Sequence, residues 1–190
     1  MPCHPGSLLE QTCRAAVAQQ VAYGEQRGVP WGFSESAYNA TDAQLTYQYR
    51  SFGAPSLGLR RGLAEDLVVT PYATLLALPF EPGLACANLR RLEKERMRGR
   101  YGLYEAVDYT PSRLPPGQER VVIRSFMAHH QGMGFLALVN LLADGPMQRR
   151  FAADPVFQAA DLLLQERASK AVPISTLPAG AAKAWEFKPT

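Results

Sequence analysis

The chain has 190 residues, 47% apolar and 19% charged, a composition that excludes a disordered protein and supports one domain with a hydrophobic core and a tail. Its formal net charge of +3 is small and its arginines are spread along the chain, which argues against nucleic-acid binding. It contains no run of about 18 apolar residues and no signal-peptide pattern, so we expect a cytoplasmic chain that makes no membrane contact itself.

Cysteine usage indicates a reducing compartment. Cys3, Cys13 and Cys86 are scattered, odd in number and without a CxxC pair. Neither a disulfide framework nor a zinc site fits this pattern. We therefore predict no metal and no cofactor.

The first predicted element is a helix over residues 7 to 27. Ser7 and Glu10 have the S-x-x-E spacing of a capping box, and apolar residues then recur at helical intervals. Gly28 and Pro30 mark the end of this helix.

Residues 30 to 38, Pro-Trp-Gly-Phe-Ser-Glu-Ser-Ala-Tyr, combine an acid with aromatic rings. Glu35 lies between two serines, with Trp31 and Tyr38 on either side. The apolar face of a pyranose stacks on aromatic rings, and cleavage of a glycosidic bond requires a pair of carboxyl groups. The stretch is a candidate sugar-binding segment; the alternative is a surface loop with incidental aromatics.

Residues 39 to 69 are predicted to be mostly loop, because glycine, proline, asparagine and aspartate interrupt them, with room for a short helix or strand over 43 to 49. A loop of this length suits the wall of a cleft. Two helices follow, from Thr70-Pro71 to about Leu78 and from Glu81-Pro82 to about Gly99.

Residues 100 to 110, Arg-Tyr-Gly-Leu-Tyr-Glu-Ala-Val-Asp-Tyr-Thr, repeat the chemistry of the first aromatic segment. Three tyrosines surround Glu105 and Asp108, which supply candidates for the second carboxylate. The alternative is an edge strand with alternating tyrosines.

Residues 121 to 142 are predicted to form the most apolar helix, with Met-Ala-His-His-Gln-Gly-Met near its start. Adjacent histidines point about 100° apart on a helix, so they do not have the spacing of a metal site. Either a histidine is buried with its hydrogen bonds satisfied, or one of His129, His130 and Gln131 donates a hydrogen bond to a sugar or to a catalytic carboxylate.

The C-terminal part is predicted to hold a short helix to Ala152 and a last helix capped by Asp154-Pro155. After Arg167 the composition shifts to Ala, Pro, Ser, Gly and Lys. We predict that residues 168 to 190 are a linker or a disordered tail.

Six segments in order resemble the glycoamylase-like, transglycosylating domain of bacterial cyclic β-1,2-glucan synthases. They are Pro-Trp-Gly-Phe-Ser-Glu-Ser (30–36), Leu-Thr-Tyr-Gln-Tyr (45–49), Gly-Leu-Arg-Arg-Gly-Leu (58–63), Tyr-Gly-Leu-Tyr-Glu-Ala-Val-Asp-Tyr-Thr (101–110), Met-Ala-His-His-Gln-Gly-Met (127–133) and Leu-Leu-Leu-Gln-Glu-Arg (162–167). The resemblance runs from about residue 7 to 175 without a large gap, and the six segments together are far more specific than any single motif.

The resemblance implies a mainly α fold: the later half of an (α/α)6 toroid, with long aromatic-rich loops that form a cleft. Residues 1–167 would be a partial glycoamylase-like domain, because five or six helices are predicted where a full toroid needs twelve. The implied partners are β-1,2-linked glucan, the rest of the toroid and a phosphorylase-like domain. In this family such domains belong to large enzymes tethered to the inner membrane.

The resemblance also implies retaining transglycosylation that closes a linear β-1,2-glucan into a ring, which needs a nucleophile and an acid/base carboxyl. We predict Glu35 as nucleophile and Glu105 as acid/base, with the roles interchangeable. The alternatives are an inverting β-1,2-glucan hydrolase and a catalytically silent fragment that binds glucan or a partner lobe.

Further side chains are predicted to bind the substrate. Three rings are assigned to stacking on glucosyl units: Trp31, Tyr38 and Tyr101. Tyr104 and Tyr109 are expected to desolvate Glu105, and Asp108 is its main competitor for a catalytic role. The hydrogen-bonding candidates are Asp42, Arg60, His130 and Gln131.

Overall fold

The computed structural model describes residues 4–58 and 61–167. Arg60 and the predicted tail at 168–190 lie outside the described residues. The described part contains six α-helices: α1 Leu8–Gln26, α2 Pro71–Leu76, α3 Pro82–Lys94, α4 Ala128–Leu142, α5 Pro146–Ala152 and α6 Pro155–Ala160. In residues 4–58 and 61–167, no helix has both the length and the apolar character needed to cross a membrane.

Short strands connect the helices: β1 Ser36–Thr41, β2 Tyr47–Arg50, β3 Val68–Val69, β4 Arg98–Gly99, β5 Gly102–Leu103, β6 Ala106–Asp108 and β7 Val121–Ile123. Three 3-10 turns lie at Leu63–Glu65, Pro111–Arg113 and Asp161–Gln165.

The cap of α1 forms as its sequence predicts. The Ser7 hydroxyl accepts a hydrogen bond from the Glu10 N–H at 3.2 Å. The Glu10 carboxylate reaches back one residue further than in a standard capping box and accepts from the Gly6 N–H at 2.6 Å. The helix ends at Gln26, just before Gly28, whose φ of +69° suits glycine.

The predicted long loop over 39 to 69 is wrong in its first part, because β1 and β2 form an antiparallel hairpin there. Asp42 fixes the turn: its Oδ1 accepts hydrogen bonds from the N–H groups of Gln44 at 3.0 Å and Thr46 at 2.9 Å. Of the predicted turn residues, Asp42 marks the tight turn between the two strands, and β2 lies partly where the sequence left room for a short helix or strand.

A three-stranded antiparallel sheet in the order β3-β6-β7 lies beside this hairpin. The predicted start of α4 at residue 121 is wrong, since Val121 pairs with Asp108 and Ile123 with Ala106 across β6 and β7. Three consecutive β-branched residues favour a strand, and the helix begins only at Ala128. The sheet sets Glu105, the residue before β6, next to the beginning of α4.

The segment that precedes Glu35 is bound tightly to two helices. Trp31 is 7% exposed and belongs to the main hydrophobic core. The Asn88 side chain on α3 accepts from the Trp31 N–H at 3.0 Å and donates to the Trp31 carbonyl at 2.6 Å. Gly32 has a φ of +121°, and a Cβ there would lie 2.7 Å from the Thr70 carbonyl oxygen.

Helices α4 and α5 carry apolar side chains that are exposed in the described part of the chain. We call these side chains together the apolar face; they are Phe135, Leu136, Leu141, Leu142, Met147 and Phe151. Leu136, Met147 and Phe151 line a groove of about 860 Å³ that the end of α2 also lines, and the other three lie outside this groove. Exposed apolar surface of this kind is typical of a site where other protein packs.

Candidate active site

Glu105 is held in the protein interior with 2% of its surface exposed. Its N–H donates to the Ser125 carbonyl at 3.0 Å, and its own carbonyl accepts from the Thr70 hydroxyl at 2.8 Å. Its Oε1 lies 2.8 Å from His130 Nδ1 and accepts a longer bond from the Ala37 N–H at 3.4 Å. These contacts fix both the backbone and one carboxyl oxygen.

The second carboxyl oxygen of Glu105, Oε2, makes no hydrogen bond of standard geometry with the described residues, although the Met127 N–H is close enough to act on the carboxyl group and lower its pKa. A small cavity of about 20 Å³ adjoins this side chain, lined also by Tyr72, Tyr104 and His130. Burial raises the pKa of Glu105, against the opposing effects of the Ala37 N–H and the charge of His129. The environment therefore favours the protonated acid.

His130 is also buried, on the first turns of α4, and both ring nitrogens are engaged. Its ring stacks on Tyr72, with centroids 3.8 Å apart and planes 15° apart. Burial, with the neighbouring His129, lowers the pKa of His130 to about 4. The imidazole is thus neutral at neutral pH, with one nitrogen that donates and one that accepts.

Tyr49 is the member of the site that the sequence interpretation missed. Its hydroxyl lies 3.2 Å from His130 Nε2 and 3.4 Å from His129 Nε2, and its ring is partly exposed. Burial, followed by the negative charge of Glu35, raises the pKa of Tyr49 to about 12. Pairing of the 36–41 and 47–50 segments would have indicated this position, because Tyr49 is opposite Ala37.

Glu35 is exposed and lies just before β1. Its carbonyl accepts from the Tyr72 hydroxyl at 3.2 Å, and the same hydroxyl donates to Ser34 Oγ at 2.7 Å. Its carboxylate acts electrostatically on both Tyr49 and His130. The structure thus brings both predicted catalytic carboxylates to one histidine, Glu105 by a hydrogen bond and Glu35 by its charge.

Asp108 is part of a separate, buried ion-pair network. Arg113 donates to both of its carboxyl oxygens, at 2.7 and 3.1 Å, and the N–H groups of Asn39 and Thr110 complete their hydrogen bonds. Arg113 also pairs with Asp66 at 2.5 Å. These contacts give Asp108 a structural environment that joins β1 to β6.

Two of the three rings predicted to stack on sugar are occupied by protein. Trp31 lies in the core, as described above. The Tyr38 ring has the guanidinium groups of Arg50 and Arg113, each 5.0 Å from its centroid. Tyr101 is 74% exposed and packs edge-on against Phe126.

The remaining predicted residues, Tyr104, Tyr109, Gln131 and Asp42, do not form one group around Glu105. Tyr104 lines the small cavity beside Glu105 and packs on Phe126. Tyr109 instead faces the Glu95–Arg120 ion pair, and burial raises its pKa. Gln131 donates to the Leu103 carbonyl at 3.3 Å, and Asp42 lies in the turn between β1 and β2.

Residues 4–58 and 61–167 contain no group of three or more His, Cys, Asp or Glu side chains arranged to hold a metal ion.

The fold and this site define a mainly helical protein with a pair of carboxyl groups set in contrasting environments, one exposed and one buried. A family model described as "Putative glucoamylase" matches residues 8–155, and the chain belongs to this glycoamylase family. The predicted family is confirmed.

The chain is 47% identical over 169 residues to "Cyclic beta-(1,2)-glucan synthase NdvB" from Rhizobium meliloti (strain 1021). This match covers 89% of the chain and 6% of the synthase, so the chain spans a small fraction of that relative's length.

Solved structures share the fold at low sequence identity. An endo-β-1,2-glucanase from Chitinophaga pinensis, in complex with sophorotriose and glucose, has a TM-score of 0.51 and 18% identity. A "putative glucoamylase" from Bacteroides uniformis ATCC 8492 has a TM-score of 0.53 and 21% identity. Each match covers 82% of this chain and 34% of the other.

Proposed function

We propose that this chain is a carbohydrate-active domain that acts on β-1,2-glucan by retaining transglycosylation, with Glu35 as nucleophile and Glu105 as the source of the acid/base proton. The observation that carries the proposal is the contrast between the two carboxyl groups around His130. Glu35 is exposed, whereas burial favours the protonated form of Glu105. Such a separation of environments assigns one carboxyl as a base or nucleophile and the other as an acid.

The substrate class rests on the relatives. The cyclic β-1,2-glucan synthase is similar over most of this chain, and the Chitinophaga endo-β-1,2-glucanase shares its fold. In the reaction, a Glu35 oxygen bonds to the anomeric carbon while the leaving glycosidic oxygen takes a proton. A hydroxyl of the same glucan chain then displaces Glu35 and yields a ring.

The same pair of carboxyl groups, Glu35 and Glu105, supports a second candidate function, inverting hydrolysis of β-1,2-glucan. The observation in its favour is that Glu35 is the exposed member of the pair, placed where it could activate a water molecule. The two mechanisms differ in the distance between the two carboxyl groups, which is about 5–5.5 Å in retaining enzymes and about 6.5–9.5 Å in inverting enzymes.

The apolar face supports a proposal about assembly. We propose that the chain contributes part of an (α/α)6 toroid and packs against further helices there, as part of a larger assembly that also holds a phosphorylase-like domain. Support comes from the 34% coverage of the glucanase and from the exposed side chains on α4 and α5. If those helices are required for catalysis, this chain alone binds glucan and does not cleave it.

The test is an assay of this chain on linear β-1,2-glucan, with products identified by mass spectrometry. Glu35→Gln and Glu105→Gln should each lower the rate by about 100-fold or more. Glu93→Gln, an exposed carboxylate that pairs with Arg98, is the matched control and should leave the rate unchanged. Asp108→Asn, measured where it remains folded, should cost less than either catalytic change.

Two outcomes would contradict the proposal. Equal rates for wild type and both glutamine variants would exclude Glu35 and Glu105 from catalysis. Proton NMR of the first products distinguishes the mechanisms, because retention gives a β-linked ring, or the β-anomer where water is the acceptor, whereas release of the α-anomer indicates inversion and would contradict the proposal. Glucan binding without cleavage would support the binding-only role.

A further inference from the structure

Three side chains form a continuous line from the interior to the surface. Glu105 Oε1 lies 2.8 Å from His130 Nδ1, and His130 Nε2 lies 3.2 Å from the Tyr49 hydroxyl. The negative charge of the exposed Glu35 acts on the Tyr49 hydroxyl at the outer end of this line. An imidazole and a phenol therefore lead from Glu105 toward Glu35.

Glu105 itself is enclosed: its side chain is 1% exposed, and so is that of His130. A glucan bound at the surface would not contact either group in this conformation. Tyr49 is the first member of the line that solvent reaches. A proton that leaves Glu105 for a bound substrate would have to pass through His130 and Tyr49.

The hydrogen-bond directions are mutually consistent. Protonated Glu105 donates to His130 Nδ1, the Nε2–H of the neutral imidazole donates to the Tyr49 oxygen, and the Tyr49 O–H donates outward. Burial favours the protonated form of Glu105 and the neutral form of His130, which this arrangement requires. The raised pKa of Tyr49 keeps the phenol protonated and able to donate.

The fold holds both ends of this line in place. Tyr72 stacks on the His130 ring and anchors the Glu35 backbone through its hydroxyl. Tyr49 is fixed by the hairpin register, and the next residue, Arg50, is ion-paired with Asp66.

We infer that Tyr49 is the surface end of a proton relay from Glu105 through His130, and that it delivers the proton to the leaving glycosidic oxygen. This inference rests on the proposed function. As the glycosidic bond breaks, the leaving oxygen takes the Tyr49 proton, Tyr49 takes the Nε2 proton, and Nδ1 takes the Glu105 proton. Glu105 becomes a carboxylate, and the incoming acceptor hydroxyl returns a proton along the same path.

The kinetic experiment compares two substrates that differ in their need for an acid. Tyr49→Phe should lower cleavage of linear β-1,2-glucan by about 100-fold or more, the size of a lost general acid. It should leave cleavage of 2,4-dinitrophenyl β-sophoroside within a few-fold of wild type, because that leaving group departs without a proton. Tyr47→Phe, on the same strand and two residues away, is the matched control and should match wild type on both substrates.

The pattern across variants separates the relay from the proposed function. Glu105→Gln should reproduce the Tyr49→Phe pattern, and the double variant should be no slower than the slower single variant, because residues that act as one unit are not additive. Unchanged glucan cleavage by Tyr49→Phe would overturn the relay. Equal losses on both substrates would also overturn it, since they would indicate a general role in binding or folding.

A second readout requires no activity. Long-range ¹H–¹⁵N NMR of the chain should find the His130 ring neutral at pH 7 with its proton on Nε2. Tyr49→Phe should shift the Nε2 signal, and Glu105→Gln should shift the Nδ1 signal. A charged ring at pH 7, or an Nε2 signal indifferent to Tyr49→Phe, overturns the relay, whereas a wild-type chain that cleaves neither substrate contradicts only the proposed function.

Discussion

His130 is enclosed by groups that oppose its protonation. Tyr72 covers one ring face, His129 lies with its ring centroid 4.0 Å away, and the ring is almost fully shielded from water. Glu105 contacts the ring, and the charge of Glu35 acts to raise the pKa of His130 but does not overcome burial. The residue therefore stays neutral in the folded protein at a pH where a free histidine is half charged.

This environment predicts a loss of stability in mild acid. The pKa of His130 is lowered from 6.5 to about 4, so the unfolded chain binds a proton that the folded chain does not. The free energy of unfolding should fall by up to about 3 kcal/mol as the pH drops from about 6.5 to 4. Urea unfolding of wild type and His130→Gln at pH 7 and 4.5 tests this.

His130→Gln should lack this part of the acid sensitivity. Glu105 acts in the opposite direction: its raised pKa gives stability at low pH that is lost as the pH rises through the folded value, so in wild type it partly offsets the loss caused by His130. If the free energy of unfolding falls equally steeply between pH 7 and 4.5 in wild type and in His130→Gln, another group controls the acid sensitivity.

At this scale the sequence selected two residues that the structure brings into contact. It selected Glu105 and His130, because an acid among tyrosines and a histidine pair at a helix start are visible as local patterns. Their contact joins positions 25 residues apart and arises from strand pairing that no local pattern shows. Tyr49 was missed for the same reason, since its role depends on the hairpin register.

At the scale of elements, α3 anchors the segment that leads to Glu35. Asn88 is buried and satisfies the N–H and the carbonyl of Trp31, and it also donates to the Thr74 hydroxyl at 2.8 Å. One side chain therefore connects α3, α2 and the site segment.

Removal of this connection should be costly. Asn88→Ala leaves the Trp31 backbone groups buried without partners, and we expect the free energy of unfolding to fall by about 3 kcal/mol. Cys86→Ala, an exposed position on the same helix, should change it by less than about 0.5 kcal/mol. Denaturant unfolding measures both; similar values for the two variants would contradict the assigned role of Asn88.

Helices were easier to predict than strands for a physical reason. Capping residues, Pro at the first turn and 3.6-residue periodicity are local, and they located α1, α2, α5, α6 and the start of α3. The predicted extension of α3 to about Gly99 is wrong, because α3 ends at Lys94 and Arg98–Gly99 forms β4. The strands are two to six residues long, too short for an alternating pattern to emerge. Their formation depends on partners distant in sequence, such as β3 on β6.

At the scale of the whole molecule, the apolar face stands out because packing among the described residues leaves its side chains exposed. A compact domain buries such residues, yet Leu142 is 80% exposed. The sequence predicted too few helices for a closed toroid, and the exposed α4 and α5 surface agrees with that count. Which residues would be left uncovered depends on tertiary packing and was not predictable from periodicity.

This face should promote self-association of the isolated chain. Leu142→Glu should reduce concentration-dependent association in sedimentation velocity, because a charge disfavours burial of apolar surface between copies. Leu45→Glu makes the same substitution at the hairpin turn, where Leu45 is 81% exposed and away from the apolar face. A larger effect of Leu45→Glu than of Leu142→Glu would contradict the assignment.

Gly32 sets a limit on how this chain can vary. Its backbone conformation and the 2.7 Å approach of the Thr70 oxygen both exclude a side chain, whereas Gly28 has a positive φ but open space around its Cα. Position 28 can thus accept asparagine at modest cost, but position 32 has no substitute among the common amino acids. Sequences that diverge from this one should therefore retain glycine at position 32. The backbone path that leads into Glu35 should be retained with it.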